Sequence, residues 1–143
     1  MVIHRQREIL RAGAEGELLC VATFLPVQRW RDVLPFLRMT SRVERQLAGA
    51  EGLVRYGLRA DLLHKRFWTF TVWQVRDAAN AFVAAEPHAT AVRRFREWAG
   101  TGAAFVEWRS TEGSINWREA LQRLEHPTFS YKPPGEQEAR SLL

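Results

Sequence analysis

The chain has 143 residues with a net charge of +5, 46% hydrophobic residues and one cysteine, which describes a single domain with a core of its own. No apolar run approaches the roughly 20 residues of a spanning helix, and the opening MVIHRQREILRAGAEGE lacks the apolar middle of a secretory signal. The expectation is a cytoplasmic protein with no membrane partner. A lone Cys20 excludes an intrachain disulfide framework, and its place in an apolar run points to a buried, inert thiol. The basic residues are mostly arginines scattered from Arg5 to Arg140 among acids rather than gathered in one run. That dispersion argues against a phosphate-tracking surface, so no nucleic-acid partner is expected.

Residues 1–17 are polar and aperiodic and read as a flexible N-terminal arm. LLCVATFLPV, 18–27, is a β-favouring run closed by a proline, whose missing N–H suits a strand end. Asp32 stands where an N-cap belongs, and Phe36, Thr40, Val43 and Leu47 recur at helical spacing, predicting a helix over 33–48 that stops at Gly49 or Gly52. GLVRYGLR, 52–59, and a long strand over 66–76 make a hairpin. Asp77 can then cap a helix that Pro87 interrupts, with a second helical segment beginning HATAVRRFREW. AAFVEWRS, 103–110, is the fourth expected strand. Trp117, Ala120, Leu121 and Leu124 follow at i, i+3, i+4 and i+7, marking a short amphipathic helix ended by His126 and Pro127. The fold class is therefore α+β, a ferredoxin-like β-α-β-β-α-β antiparallel sheet with an extra C-terminal helix. The domain spans 18–126, and 127–143 forms a C-terminal tail.

The stretch KRFWTFTVWQ, 65–74, is aromatic on both sides of its alternation. Trp68, Phe70 and Val72 point one way; Phe67, Thr69, Thr71, Trp73 and, beyond the stretch, Val75 point the other. Two helices cover one face. The other face, left bare, would be too apolar for a monomer, so a second copy packed sheet to sheet is expected: a homodimer closing an α/β barrel.

The run from Lys65 to Trp98, followed by AFVEWRS and WREALQRLEHP, resembles the antibiotic-biosynthesis-monooxygenase-like superfamily of dimeric α/β barrels. Within it the sequence most resembles a branch of unknown function with a Trp-ended third strand, a PH helix start and an EAxxRL terminal helix. The resemblance covers about 18–126 and implies a cofactor-independent monooxygenase, or a related enzyme, acting on a small aromatic or polyketide-like molecule. The alternative is a non-catalytic small-molecule binder or structural homodimer. Trp73 corresponds to the tryptophan closing the third strand in many members, and His88 to the histidine of the helix-start motif. The haem-degrading branch fits poorly: strand one has no asparagine, and Phe82 and Val92 stand where that branch carries tryptophan and histidine.

His88 is the candidate catalytic residue, a general base whose imidazole is kept neutral at a helix start. Its plainer role is to bond a neighbouring carbonyl and fix the helix break. Trp73 and Phe82 are candidate substrate-binding walls, with Trp68 or Trp108 opposite, and equally candidate core. Thr71, Arg55 and Glu107, with Thr69 and Arg109, make a polar patch if they share a face; otherwise Glu107 and Arg109 pair across strands or across the dimer. No cofactor motif is present, and the four histidines lie far apart with no metal-ligand spacing.

Overall fold

A computed structural model describes residues 2–9 and 16–131. The elements are β1 (Val2–Glu8), β2 (Leu18–Pro26), α1 (Trp30–Ala48), β3 (Leu53–Asp61), a 3-10 turn (Leu62–His64), β4 (Arg66–Trp73), α2 (Arg76–Ala84), α3 (His88–Trp98), β5 (Ala104–Ser110), α4 (Trp117–Arg123) and β6 (Phe129–Ser130). They form one six-stranded antiparallel sheet in the order β1-β3-β4-β2-β5-β6. From β2 to β5 this is the expected ferredoxin-like order with its helix-break and terminal helix. No described helix is long and apolar enough to cross a membrane.

The expected N-terminal arm is in part a strand. Val2 to Glu8 pair with Asp61 to Arg55 along the sheet edge although every residue of β1 is exposed. VIHRQRE has no apolar alternation because neither side of this edge strand is buried. Backbone pairing and two ion pairs, Arg5 to Glu44 at 2.8 Å and Arg55 to Glu8 at 2.7 Å, take the place of a packed face. The rest of the expected arm, 10–15, and most of the expected tail, 132–143, lie outside the described residues. The start of the tail adds β6 to the edge of β5.

Neither predicted acidic cap operates. Helix α1 begins at Trp30, putting Asp32 in its first turn, and Val75 precedes α2 with no side-chain cap bond. At α4, Asn116 accepts from the Glu119 amide at 3.2 Å.

Helices α1, α2 and α3 lie on one face of the sheet in two clusters. Phe36 and Met39 of α1 meet Phe67, Phe95 and Trp98, with the Phe36 and Phe67 rings 4.6 Å apart. Leu47 of α1 and Ala79 and Phe82 of α2 meet Leu19, Leu53, Tyr56 and Trp73. The opposite face is not bare. Ala120 of α4, with Ile115, Trp117 and Leu124, packs on Cys20, Phe70, Val72, Val106 and Trp108. Phe70 meets the Trp108 and Trp117 rings edge-on at 5.3 and 5.9 Å. Trp68 is screened by stacked Phe24 at 5.4 Å and by the Arg59 guanidinium 4.7 Å over its ring. The two-sided aromatic strand is thus largely covered within one chain: α4 closes the outer face around Phe70 and Trp108, and the part around half-buried Phe24 and exposed Arg66 stays uncovered. Sequence periodicity recognised α4 but not which face it would close.

Candidate functional site

The alternation Phe67-x-Thr69-x-Thr71-x-Trp73 places two threonines between two aromatics on the helix-side face of β4. The neighbouring β2 repeats the pattern with Leu25, Thr23, Val21 and Leu19, in register with Phe67, Thr69, Thr71 and Trp73. At each end the pairs enter one of the two helix-side clusters. Between them Thr23, Thr69, Thr71 and Val21 are only half-buried, although β2 and β4 are the central strands of the sheet. The helix layer therefore covers this polar mid-sheet floor less completely than the clusters at its two ends. Thr23 and Thr69 share a hydrogen bond between their hydroxyls, and the Trp73 indole Nε1 donates to Thr71 Oγ1 at 2.9 Å.

Glu107 borders this floor from β5, directly across from Val21. Arg76, the first residue of α2, clasps its carboxylate with two bonds of 2.7 and 3.1 Å. Glu107 thus pairs with a helix-start arginine rather than with Arg109. The clasp ties the start of α2 to the sheet beside the threonines, a planar two-point contact suited to fixing geometry.

Trp73, Phe82 and His88 form a ladder of rings, at 5.3 Å and 40° for the first pair and 4.9 Å and 54° for the second. His88 is the first residue of α3, after the cis Glu86–Pro87 bond. Its Nδ1 lies 3.2 Å from the Val83 carbonyl oxygen. A carbonyl only accepts, so Nδ1 carries the hydrogen and Nε2 keeps its lone pair. Burial holds the imidazole below its ordinary pKa, partly opposed by the Val83 carbonyl. The shift favours the neutral ring, and its cause is desolvation rather than the helix start. Its backbone N–H donates to Gln46 Oε1 at 2.9 Å, and Gln46 Nε2 donates to the Phe82 carbonyl at 3.2 Å. Outside this junction Arg42, Arg45, Gln46, Glu86 and Pro87 line an open surface groove of about 450 Å³.

The structure divides the expected site. Trp73, Phe82, Thr71 and Glu107, with Thr69 and Arg109, belong to the helix-side face. Arg55 does not join them. A bulge at the start of β3 sets it opposite Val72, where it donates to Glu8 and to the Glu112 and Gly113 carbonyls. Trp68 and Trp108 are also on that other face and cannot wall a cavity with Trp73. Thr23 and Arg76 escaped the sequence reading. A threonine amid the apolar LLCVATFLPV was the available signal for the first; the second had none, since its partner is 31 residues away. Cys20 is 1% exposed, and burial pushes its thiol up to about 11, so it is inert as expected.

The family model described as a domain of unknown function, DUF3291, matches residues 40–130. No protein of curated function matches in sequence. Among crystal structures, a conserved protein from Methanosarcina mazei Go1 superposes with a TM-score of 0.58 at 13% identity, covering 65% of this chain and 92% of that one. An antibiotic biosynthesis monooxygenase gives 0.58 at 15% identity over 64% and 97% of the two chains. SnoaB, a cofactor-independent oxygenase from Streptomyces nogalater, gives 0.53 at 18% identity over 66% and 92%. The fold is the one these monooxygenases have, and at such identities the likeness is of fold.

Proposed function

The chain belongs to the DUF3291 family, whose function is unknown, and from that premise we propose that it binds and oxidises a small hydroxylated aromatic or polyketide-like molecule, without a cofactor. The supporting observation is the half-buried threonine floor on two central strands, between otherwise closed aromatic clusters. Thr23, Thr69 and Thr71 offer hydroxyls that accept or donate to a phenol or ketone, and the buried Trp73 closes one end of the floor and bonds Thr71. Without a cofactor the substrate is the electron source: loss of its phenolic or enolic proton gives an anion that passes an electron to dioxygen. His88, neutral with Nε2 unprotonated, has the protonation state of the base in that step. Structures sharing this fold include SnoaB, a cofactor-independent oxygenase, which supports the reaction class.

One observation favours the non-catalytic reading. The His88 ring is fixed to the Val83 carbonyl and packed on Phe82, an arrangement that serves the helix break without any substrate. Binding at the floor with His88 as a structural residue is the second reading. Self-association is part of the proposal on either reading, through the part of the outer sheet face around Phe24 and Arg66 that α4 leaves uncovered.

The test is a fluorescence titration of the wild type and Thr69→Ile with planar naphthols and hydroquinones. Saturable quenching lost in Thr69→Ile at an unchanged melting temperature is the expected result. Equal quenching in both proteins would remove the floor as the site.

A further inference from the structure

Six of the nine large hydrophobic residues exposed among the described residues gather at one end of the molecule. Val2 and Ile3 open β1 opposite Asp61 and Ala60, beside the end of β3. That strand runs into the Leu62–His64 turn, where Leu63 is 68% exposed. Lys65 then joins the turn to the start of α1: its Nζ donates to the Gln28 carbonyl at 3.0 Å and sits 5.2 Å over the Trp30 ring. Trp30 is 60% exposed, and Leu34, four residues on along the same flank of α1, is 56% exposed, with Leu37 completing the stripe. The burial of Phe36, Met39 and Leu47 uses a different side of the helix. This stripe is surplus to the fold.

The charges at this end are basic. Arg29, Arg31 and Lys65 have no carboxylate partner among the described ion pairs. The carboxylate of Asp61 is taken up by Arg66 at 2.7 Å and His64 at 2.9 Å, leaving Asp32 as the acid of the first turn of α1.

We infer that, against the expectation of no membrane partner and with no described helix crossing one, this end, with Trp30, Leu34 and Leu63 leading, docks on the surface of a lipid bilayer bearing anionic headgroups. The side chains come from separate segments and line neither of two surface grooves among the described residues, so they suit a fluid apolar partner that needs no matching pocket. Indole at the interface, leucines below it and guanidinium and ammonium groups at headgroup level are the chemistry of interfacial binding. A nucleic acid would satisfy the cations and leave the leucines in water. The inference stands apart from the helix-side floor and does not depend on it.

The full chain is sedimented with vesicles of phosphatidylcholine alone and with about a third phosphatidylserine, at low and high salt, beside Leu34→Ser/Leu63→Ser and Trp30→Ser variants. The expected result is capture by the anionic vesicles, weakened about tenfold or more by either variant at low salt, with melting temperatures unchanged. Three results would each overturn the inference. One is no capture by either vesicle. Another is capture that ignores the apolar substitutions, disappears in salt and is matched by DNA. The third is a wild-type dimer that the variants convert to monomer without vesicle binding, which would assign the patch to a second copy of the chain.

Discussion

Replacing Trp117 by alanine measures how firmly the chain closes its own outer sheet face. Trp117 starts α4, is half-buried, and meets Phe70 at 5.9 Å and 90° and His4 at 6.1 Å. A tryptophan removes about 200 Å² from water, and with some two-thirds of that covered here the loss at about 25 cal/mol per Å² is roughly 3 kcal/mol. The edge-on contact with Phe70 adds about 0.5–1 kcal/mol. Against this, the Trp117 Nε1 is buried with no hydrogen-bond partner, and removing it returns about 1 kcal/mol. The net expectation is a loss of about 2–3 kcal/mol, read as a lower urea midpoint at unchanged slope. Trp117→Phe keeps the ring contact and discards the orphan N–H, so it should cost less than about 1 kcal/mol. A loss below about 0.5 kcal/mol in Trp117→Ala would refute the packing of α4 on the sheet and restore the bare face that calls for a second copy.

Three further predictions concern other parts of the molecule. Arg66 and His64 hold the Asp61 carboxyl down at about 2 from an ordinary 3.8; its contribution to stability is present above pH 3.8 and fades as pH falls toward 2. Asp61→Asn should therefore be less stable at neutral pH and converge with the wild type in acid, and a constant difference down to pH 2 in urea titrations would contradict this. His88 is held below its ordinary 6.5 by burial, so its neutral form favours the fold above pH 6.5 and the advantage declines on acidification through the lowered value. His88→Gln should flatten that limb of the stability profile, and an unchanged slope would remove His88 from it. Gly113 has φ +57, and an added Cβ would come within 2.7 Å of Leu18 Cδ1 and 2.8 Å of Val72 Cγ1. Gly113→Ala should cost about 1–3 kcal/mol in chemical denaturation, and a neutral substitution would contradict the close approach of this loop to the sheet.

The order of elements was legible because their signals are local: Leu18–Pro26 and Arg66–Trp73 alternate, and α1 and α4 repeat at helical spacing. β1 was not legible, since a strand exposed on both sides has no apolar period. The facing of α4 was hidden for a different reason. Its contacts with Cys20, Phe70 and Trp108 join segments far apart in sequence, and the same aromatic excess is satisfied by a helix of the chain or by another chain. Within the site, alternation put Thr71 with Trp73 correctly, whereas Arg55 was misplaced by a bulge that no residue pattern announced. The Arg76 clasp on Glu107 exists only once β5 lies beside β2.

The most direct test of the account is dioxygen uptake by chelator-treated protein given planar hydroquinones and naphthols, with the wild type compared with Thr69→Ile and Thr23→Val. Substrate-dependent uptake is expected in the wild type, lost in both floor variants while their melting curves stay in place. Uptake equal in all three proteins, or none in a wild type that also fails to bind any of these compounds, would contradict it.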